Sequence, residues 1–376
     1  MVRHACKHVR YYSRLFKSLH IEKDDIRTVE DMSKIPVLTK DQIRNSPGEF
    51  YAHPSPFEFS RTITSSGSTG IPPPILQGEE DLAYDAAEHM REFRAWRVDL
   101  RKRWALIRTH HGLPRLESHV QKLFYRNCCL SSVYEDAERQ IAKLRSVKPH
   151  FLYIVPSYLS YLIEVGVRKD LELFPLETIF ANGDQLARRA SEMVVNAFGV
   201  EPNNMYGTAE TGAIAWQCPE ERRHHLNVDN CLVEFLDEND EPVGVGEKGM
   251  IVVTCFHNPL MPLIRFSVGD YGVPSDDVCA CGRGLPIMND LLGEIRDVLL
   301  FGGRAVNPFL LERRETLPSG IAWTRFIQTE PDELTVQFMR TEFSRSGCEE
   351  QLLSRIQYVV GSDVHVELDE VDAIPK

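Results

Sequence analysis

The spacing of apolar positions changes along this chain, and the changes predict its elements. Residues 4–20 place apolar side chains along one side of a basic helix; Pro36 and the turn-rich stretch 46–58 follow. Residues 79–98 keep helical periodicity with few breakers, and 134–147 do so again until Pro149. Phe151 to Val155 and Leu176 to Ala181 are short β-type runs. After the second, Asp184 is placed to cap a helix that ends near Gly199, a residue suited to the left-handed turn past a helix end. Leu232 to Leu236 and Met250 to Thr254 read as strands, the first followed by the acidic turn Asp237-Glu238-Asn239-Asp240.

The tail has a pattern of its own. Leu334 to Met339 is strand-like, Cys348 to Val360 helical, and Val364 to Leu368 strand-like again. Strands alternating with helices predict an α/β fold, and the β-α-β tail suits a small, mobile α+β lid domain. A boundary near Arg296-Asp297 divides the chain into residues 1–295 and 296–376.

A length of 376 residues favours two domains over one core. No apolar run approaches the roughly 20 residues of a membrane helix, and the polar, basic start holds no signal-peptide core. A net charge of −12 argues against a nucleic-acid surface. Nine scattered cysteines, an odd number including the tight Cys279-Ala280-Cys281, favour metal binding over a disulfide framework. A cytoplasmic protein is expected, monomeric or homodimeric, with no nucleic-acid or membrane partner.

The sharpest motif is Thr64-Ser65-Ser66-Gly67-Ser68-Thr69-Gly70. Its glycines let the backbone approach a ligand, and its hydroxyls and free N–H groups can cradle anionic oxygens. It is not a Walker loop, because no Gly-Lys-Ser/Thr follows. A flexible surface linker is the competing reading, but the β-type lead Phe59 to Ile63 and the rigid Pro72-Pro73-Pro74 are features a linker does not need. Four further motifs follow in order. They are Asn182-Gly183-Asp184, Met205-Tyr206-Gly207-Thr208-Ala209-Glu210, Arg265-Phe266-Ser267-Val268-Gly269-Asp270, and Gly293-Glu294-Ile295-Arg296-Asp297 with Gly302-Gly303-Arg304. Each has a plain alternative: Asp184 as a helix cap, Glu210 as a turn carboxylate, Asp270 as a surface acid, Arg265 as a structural ion-pair partner.

In their order and separations these motifs resemble the adenylate-forming superfamily, in its phenylacetate–CoA ligase-like branch. The resemblance implies that Ser65, Ser66, Gly67, Ser68, Thr69 and Gly70 hold ATP phosphates and that Asn182, Gly183 and Asp184 lie beside adenine. It implies that Tyr206, with Gly207 next to it, stacks on the base, and that Thr208 touches the phosphates. Glu210 would help hold Mg²⁺, a hard oxygen ligand for a hard cation. Asp270 would accept from the ribose hydroxyls, with Arg265 among the catalytic residues. His110 and His111, in Thr109-His110-His111-Gly112, fall where relatives line the acid pocket, although a surface or core histidine is the commoner case. Two departures stand out: Ile71 follows the loop where the branch often has Lys, and Glu294 replaces the usual hinge Arg, leaving Arg296 as the neighbouring cation for the nucleotide.

Cys218, His225, Cys279 and Cys281 form a Cys₃His set of the kind that closes around structural Zn²⁺. His224 competes with His225, and unmetallated buried thiols are the alternative. Cys231 and Cys255 are expected in the core, and Cys128-Cys129 as packing.

The implied activity is ATP-dependent conversion of a carboxylic acid, aryl or small acyl, to an acyl-adenylate, then transfer to the thiol of CoA. An amine, a carrier-protein thiol, or nucleotide binding without chemistry are the alternatives. The sequence stops at Ile374-Pro375-Lys376, before the short Gly-Lys loop of relatives, which predicts a truncated lid.

Overall fold

The computed structural model describes residues 1–22, 24–53, 59–63, 74–109, 113–114, 119–184, 188–292, 299–311, 317–340 and 347–371. It consists of two compact units. The first gathers Met1–Ser65, Pro72–Asp99 and Asn204–Glu294; the second gathers Ser66–Ile71, Leu100–Asn203 and Ile295–Lys376.

The first unit is built on antiparallel strands. Their order is Cys231–Leu236, Gly249–Cys255, Phe266–Ser275, Ile287–Leu292, His224–Leu226, Gly212–Gln217 and Pro202–Thr208. Alternation sends Ile251, Val253, Phe266, Val268 and Met288 into one core. The N-terminal segment completes that core with Tyr12, Phe16, Ile35 and Leu38. Its expected single helix is two, Val2–His8 and Arg10–Ser18. The break is at Val9, whose extended backbone bridges to Ala52 while His53 N–H donates to the His8 carbonyl at 2.7 Å. Tyr12 buries its ring between these pieces; its hydroxyl donates to Pro262 O at 3.1 Å and accepts from Ile264 N–H at 3.0 Å. The helix Glu79–Ala95 matches the periodicity of 79–98 and starts where the Asp81 carboxylate accepts the Gly78 N–H at 2.9 Å.

The second unit holds a parallel sheet, ordered Thr178–Ala181, Phe151–Ile154, Trp104–Arg108, Cys128–Ser132. Ala105, Ile107, Leu152, Ile154 and Ile179 share one face with the apolar sides of helices Ala137–Val147 and Pro156–Arg168. The tail in the same unit has strands Ile321–Glu330, Glu333–Arg340 and His365–Glu370. The last two pair in parallel, joined by helix Cys348–Val360, which realises the β-α-β reading. The strand Ile321–Glu330 adds an antiparallel partner. Leu334, Val336, Phe338, Leu352, Ile356 and Val360 make this small core. The fold class is therefore α/β with a small α+β C-terminal sheet. No helix among the described residues is long and apolar enough to cross a membrane.

Candidate active site

In the first unit, strand Pro202–Thr208 brings Tyr206, Gly207 and Thr208 to a tight turn leading into strand Gly212–Gln217. Thr208 pairs with Gly212 across the ladder, and Gly207 with Ala213. Only glycine fits at 207: a Cβ there would stand 2.4 Å from the Gly212 carbonyl oxygen. We expect Gly207→Ala to push the strands apart and cost about 1–3 kcal/mol, measurable by denaturant unfolding. The turn is held by Thr208, whose Oγ1 accepts the Thr211 N–H at 3.2 Å and lies 3.0 Å from Thr211 Oγ1.

Glu210 sits inside this turn. It is 3% exposed, and among the described residues neither carboxylate oxygen has a hydrogen-bond partner. A buried ionised carboxylate without a partner is costly, and the cost disappears when a cation binds it. Glu210 and Asp81 both act on the buried Cys255 thiol, which burial first, then Cys231, Asp81 and Glu210, hold well above its ordinary value. Asp81 is itself pushed up to about 7, mainly by burial.

Tyr206 and Asp270 meet directly, the phenol donating to Asp270 Oδ2 at 2.9 Å. Burial first, then the Asp270 charge, hold the Tyr206 phenol well above its ordinary value, so it remains a donor. Asp270 follows Gly269 (φ +94°), and a Cβ on Gly269 would stand 3.7 Å from Lys40 Nζ. Lys40 forms no ion pair among the described residues. It is a cation beside Gly269 that no motif picks out, because it lies inside the capping box Thr39-Lys40-Asp41-Gln42.

Arg265 takes the structural alternative. It is 2% exposed; its Nε donates to Glu234 Oε1 at 3.1 Å and its Nη1 to the Ile35 carbonyl at 2.6 Å. Its contacts tie strand Phe266–Ser275 to the N-terminal segment.

In the second unit, Asn182 follows strand Thr178–Ala181; its Oδ1 accepts from Arg108 Nη2 at 2.7 Å. Gly183 has φ +116°. Asp184 caps the start of a second helix, Pro156–Arg168. Its carboxylate accepts the Ser157 N–H at 3.3 Å and the Ser157 hydroxyl, at the start of Pro156–Arg168. Ser65, Ser66, Gly67, Ser68, Thr69, Gly70, His110, His111 and Arg296 lie outside the described residues.

The four expected metal ligands converge. Cys218 ends strand Gly212–Gln217, His225 lies on His224–Leu226, and Cys279 and Cys281 come from the loop before Ile287–Leu292. Their ligand atoms all lie within 4.8 Å of one another. Cys218 and Cys279 sulfurs are 3.6 Å apart, and Cys281 sulfur is 3.2 Å from His225 Nε2. A tetrahedral centre with metal–sulfur bonds of about 2.3 Å places sulfurs about 3.8 Å apart, so the set fits. Gly282, at φ +73°, turns the chain back beside Cys281, and Glu221 accepts the Ala280 N–H at 2.6 Å. His224 is not a member of the cluster: adjacent strand residues face opposite sides. Cys231 and Cys255 lie in the core, as expected.

No family model matches the chain. It is 27% identical over 331 residues to the phenylacetate-coenzyme A ligase of Thermus thermophilus, spanning 83% of this chain and 72% of that one. It is 24% identical to the Escherichia coli phenylacetate-coenzyme A ligase over 406 residues, all of this chain and 90% of that one. The chain is thus similar, over most of its length, to the phenylacetate–CoA ligase-like branch of the adenylate-forming superfamily. Its fold agrees with solved members of that superfamily. A 2-hydroxyisobutyryl-CoA ligase structure with 2-HIB-AMP and CoA superposes with TM-score 0.72 at 20% identity, covering 100% of this chain and 85% of that one. The turn that presents Glu210 and the strand that presents Asp270 come from one sheet, which fixes their spacing through the backbone ladder.

Proposed function

We propose that this chain joins a carboxylic acid to the thiol of coenzyme A at the expense of ATP. In the first half-reaction a carboxylate oxygen bonds to the α-phosphorus while the bond to the β-phosphate oxygen breaks, giving acyl-adenylate and pyrophosphate. In the second, the thiol sulfur adds to the acyl carbon, AMP leaves, and the thiol proton passes to solvent. No enzyme nucleophile is required, so the protein's task is positioning and charge neutralisation.

The observation that carries this reading is the buried, partnerless Glu210 carboxylate beside the Tyr206–Asp270 pair, within a chain aligned to phenylacetate-coenzyme A ligases. Glu210 suits Mg²⁺, which when bound neutralises phosphate charge. Tyr206 is read as the flat ring for adenine, and Asp270 as the acceptor for the ribose hydroxyls. Thr208 is positioned to contact phosphate. Ser65, Ser66, Gly67, Ser68, Thr69 and Gly70 are read as the phosphate cradle, His110 and His111 as part of the acid pocket, and Arg296 as a nucleotide contact. Asn182 and Gly183 are read as the adenine-side edge. Residues 296–376 are read as the lid. Cys218, His225, Cys279 and Cys281 are read as a closed structural zinc site with no position open for substrate.

Pyrophosphate–ATP exchange over a panel of aryl and alkyl acids tests the first half-reaction. Acid-dependent exchange, followed by AMP release on adding CoA, is expected. ATP binding with no exchange for any acid would leave a nucleotide-binding protein without this chemistry. Glu210→Gln should lower exchange about 10–100-fold while ATP affinity in calorimetry changes less, because a charged metal ligand is lost and the ring and ribose contacts stay. Equal exchange at saturating Mg²⁺ would reduce Glu210 to a buried structural acid.

A further inference from the structure

Arg108 is the last residue of its strand, at the carboxyl edge of the parallel sheet. Open α/β sheets bind ligands outside this edge. Its guanidinium is held on three sides by neutral groups. Nη2 donates to Tyr153 Oη at 2.7 Å and to Asn182 Oδ1 at 2.7 Å, and the cation lies 4.7 Å from the centre of the Tyr153 ring. Tyr153 is buried, so the stacked plane is fixed. Among the described residues no carboxylate pairs with Arg108. Every other donor bond it makes is accounted for by these partners, which leaves N–H groups of the fork unclaimed.

A half-buried arginine is normally matched by an acid, as Arg265 is by Glu234. Arg108 is preorganised and has no acid beside it. Its planar fork matches a carboxylate. It stands at the end of the sheet's aromatic side, where Trp104, Phe151, Tyr153 and Phe180 form a buried layer that holds the strand ends in place. Thr109-His110-His111, read from the sequence as acid-pocket residues, begins at the next position.

The geometry points to Arg108 as a specificity-determining residue that binds a second carboxylate on the acid substrate, remote from the one activated. The inference rests on the acid-activating reading above. An arginine gripping the reacting carboxylate would serve every acid alike; one gripping a second carboxylate selects dicarboxylic acids.

The test compares matched pairs in pyrophosphate–ATP exchange: succinate with butyrate, glutarate with valerate, isophthalate with 3-methylbenzoate. In the wild-type protein the best diacid should exceed its partner about 100-fold in kcat/KM, as expected when a buried charged donor is left unpaired by the wrong substrate. Arg108→Gln should remove that preference, with a much smaller effect, equal for diacid and monoacid, on the KM for ATP through the lost bond to Asn182. Arg108→Lys should restore part of it. A wild-type preference for monoacids throughout overturns the proposal, and that result does not depend on any variant folding. Equal loss for all acids in Arg108→Gln, or a rise in the KM for ATP or CoA alone, also overturns it, assigning Arg108 to the reacting carboxylate or to phosphate. Calorimetry with the same diacids and no ATP separates the two readings. Diacid binding that Arg108→Gln abolishes, in a protein that exchanges with no acid, sinks the activation chemistry and keeps the site. No diacid binding and no diacid exchange sinks the site.

Discussion

Replacing Arg265 with methionine is expected to cost about 3–5 kcal/mol of folding stability, the size seen when one partner of a buried ion pair is removed. The substitution leaves Glu234 facing an apolar side chain of similar length, and it frees the Ile35 carbonyl that Arg265 now satisfies. Burial already raises the Glu234 carboxyl, with Arg265 pulling it back. Without Arg265 the folded-state value rises further above the unfolded one. The sign follows: the folded variant keeps the carboxyl protonated where the unfolded chain has lost its proton, so stability falls as pH rises above the ordinary carboxylate range. Denaturant unfolding should therefore show a larger deficit at pH 8 than at pH 5. Adding Glu234→Leu to Arg265→Met should recover much of the loss, because an apolar pair removes the uncompensated charge. A small, pH-independent loss in Arg265→Met, with a large fall in exchange by a fully folded protein, would instead return Arg265 to the reaction.

The same residue shows what the sequence could and could not convey. Arg265 stands in a motif whose order and spacing are readable, but its role depends on Glu234, 31 positions earlier, and on Ile35, some 230 earlier. Such partners are brought together by tertiary packing and leave no local pattern. Asp184 is a parallel case: cap chemistry was legible, but its bond to the Ser157 N–H, 27 positions earlier, was not. Periodicity located Glu79–Ala95 and Cys348–Val360 well because each buries one face and has clear ends. It missed Pro156–Arg168, whose buried residues surround the helix and blur the period. It joined Val2–His8 to Arg10–Ser18 because the break at Val9 comes from a bridge to Ala52, not from a breaker residue. The cysteine cluster was legible for a different reason. Four soft ligands with short spacings carry their chemistry in residue type, and the fold had only to bring two loops together.

Removal of metal from that cluster should be the most damaging change short of breaking the core. The four side chains hold two segments that share few apolar contacts of their own: Cys218, Cys279 and Ile287 are the buried members of their small cluster, with Cys281 packed against it. A hydrophobic group that size contributes only a few kcal/mol, whereas zinc bound by a Cys₃His set in small domains is worth about 10–16 kcal/mol in apparent binding free energy. Since a preformed site is absent from the unfolded chain, binding stabilises the fold, by about 4 kcal/mol when free metal exceeds its Kd a thousandfold. Protein purified without added metal should thus carry close to one zinc per chain by elemental analysis. Stripping it with a strong chelator, or substituting Cys279→Ser, should lower the unfolding midpoint and make the 218–225 and 279–287 segments sensitive to protease before the rest. Cobalt in place of zinc should give the intense sulfur-to-metal absorption of a tetrahedral thiolate site, a readout independent of enzyme turnover. ATP binding through Tyr206 and Asp270 should weaken in the stripped protein as a consequence, because strand Phe266–Ser275 runs from Asp270 into the loop that carries Cys279. Protein that is metal-free as isolated, melts unchanged with chelator, and tolerates Cys279→Ser would show that these thiols pack without metal, and that the strand is held by its ladder alone.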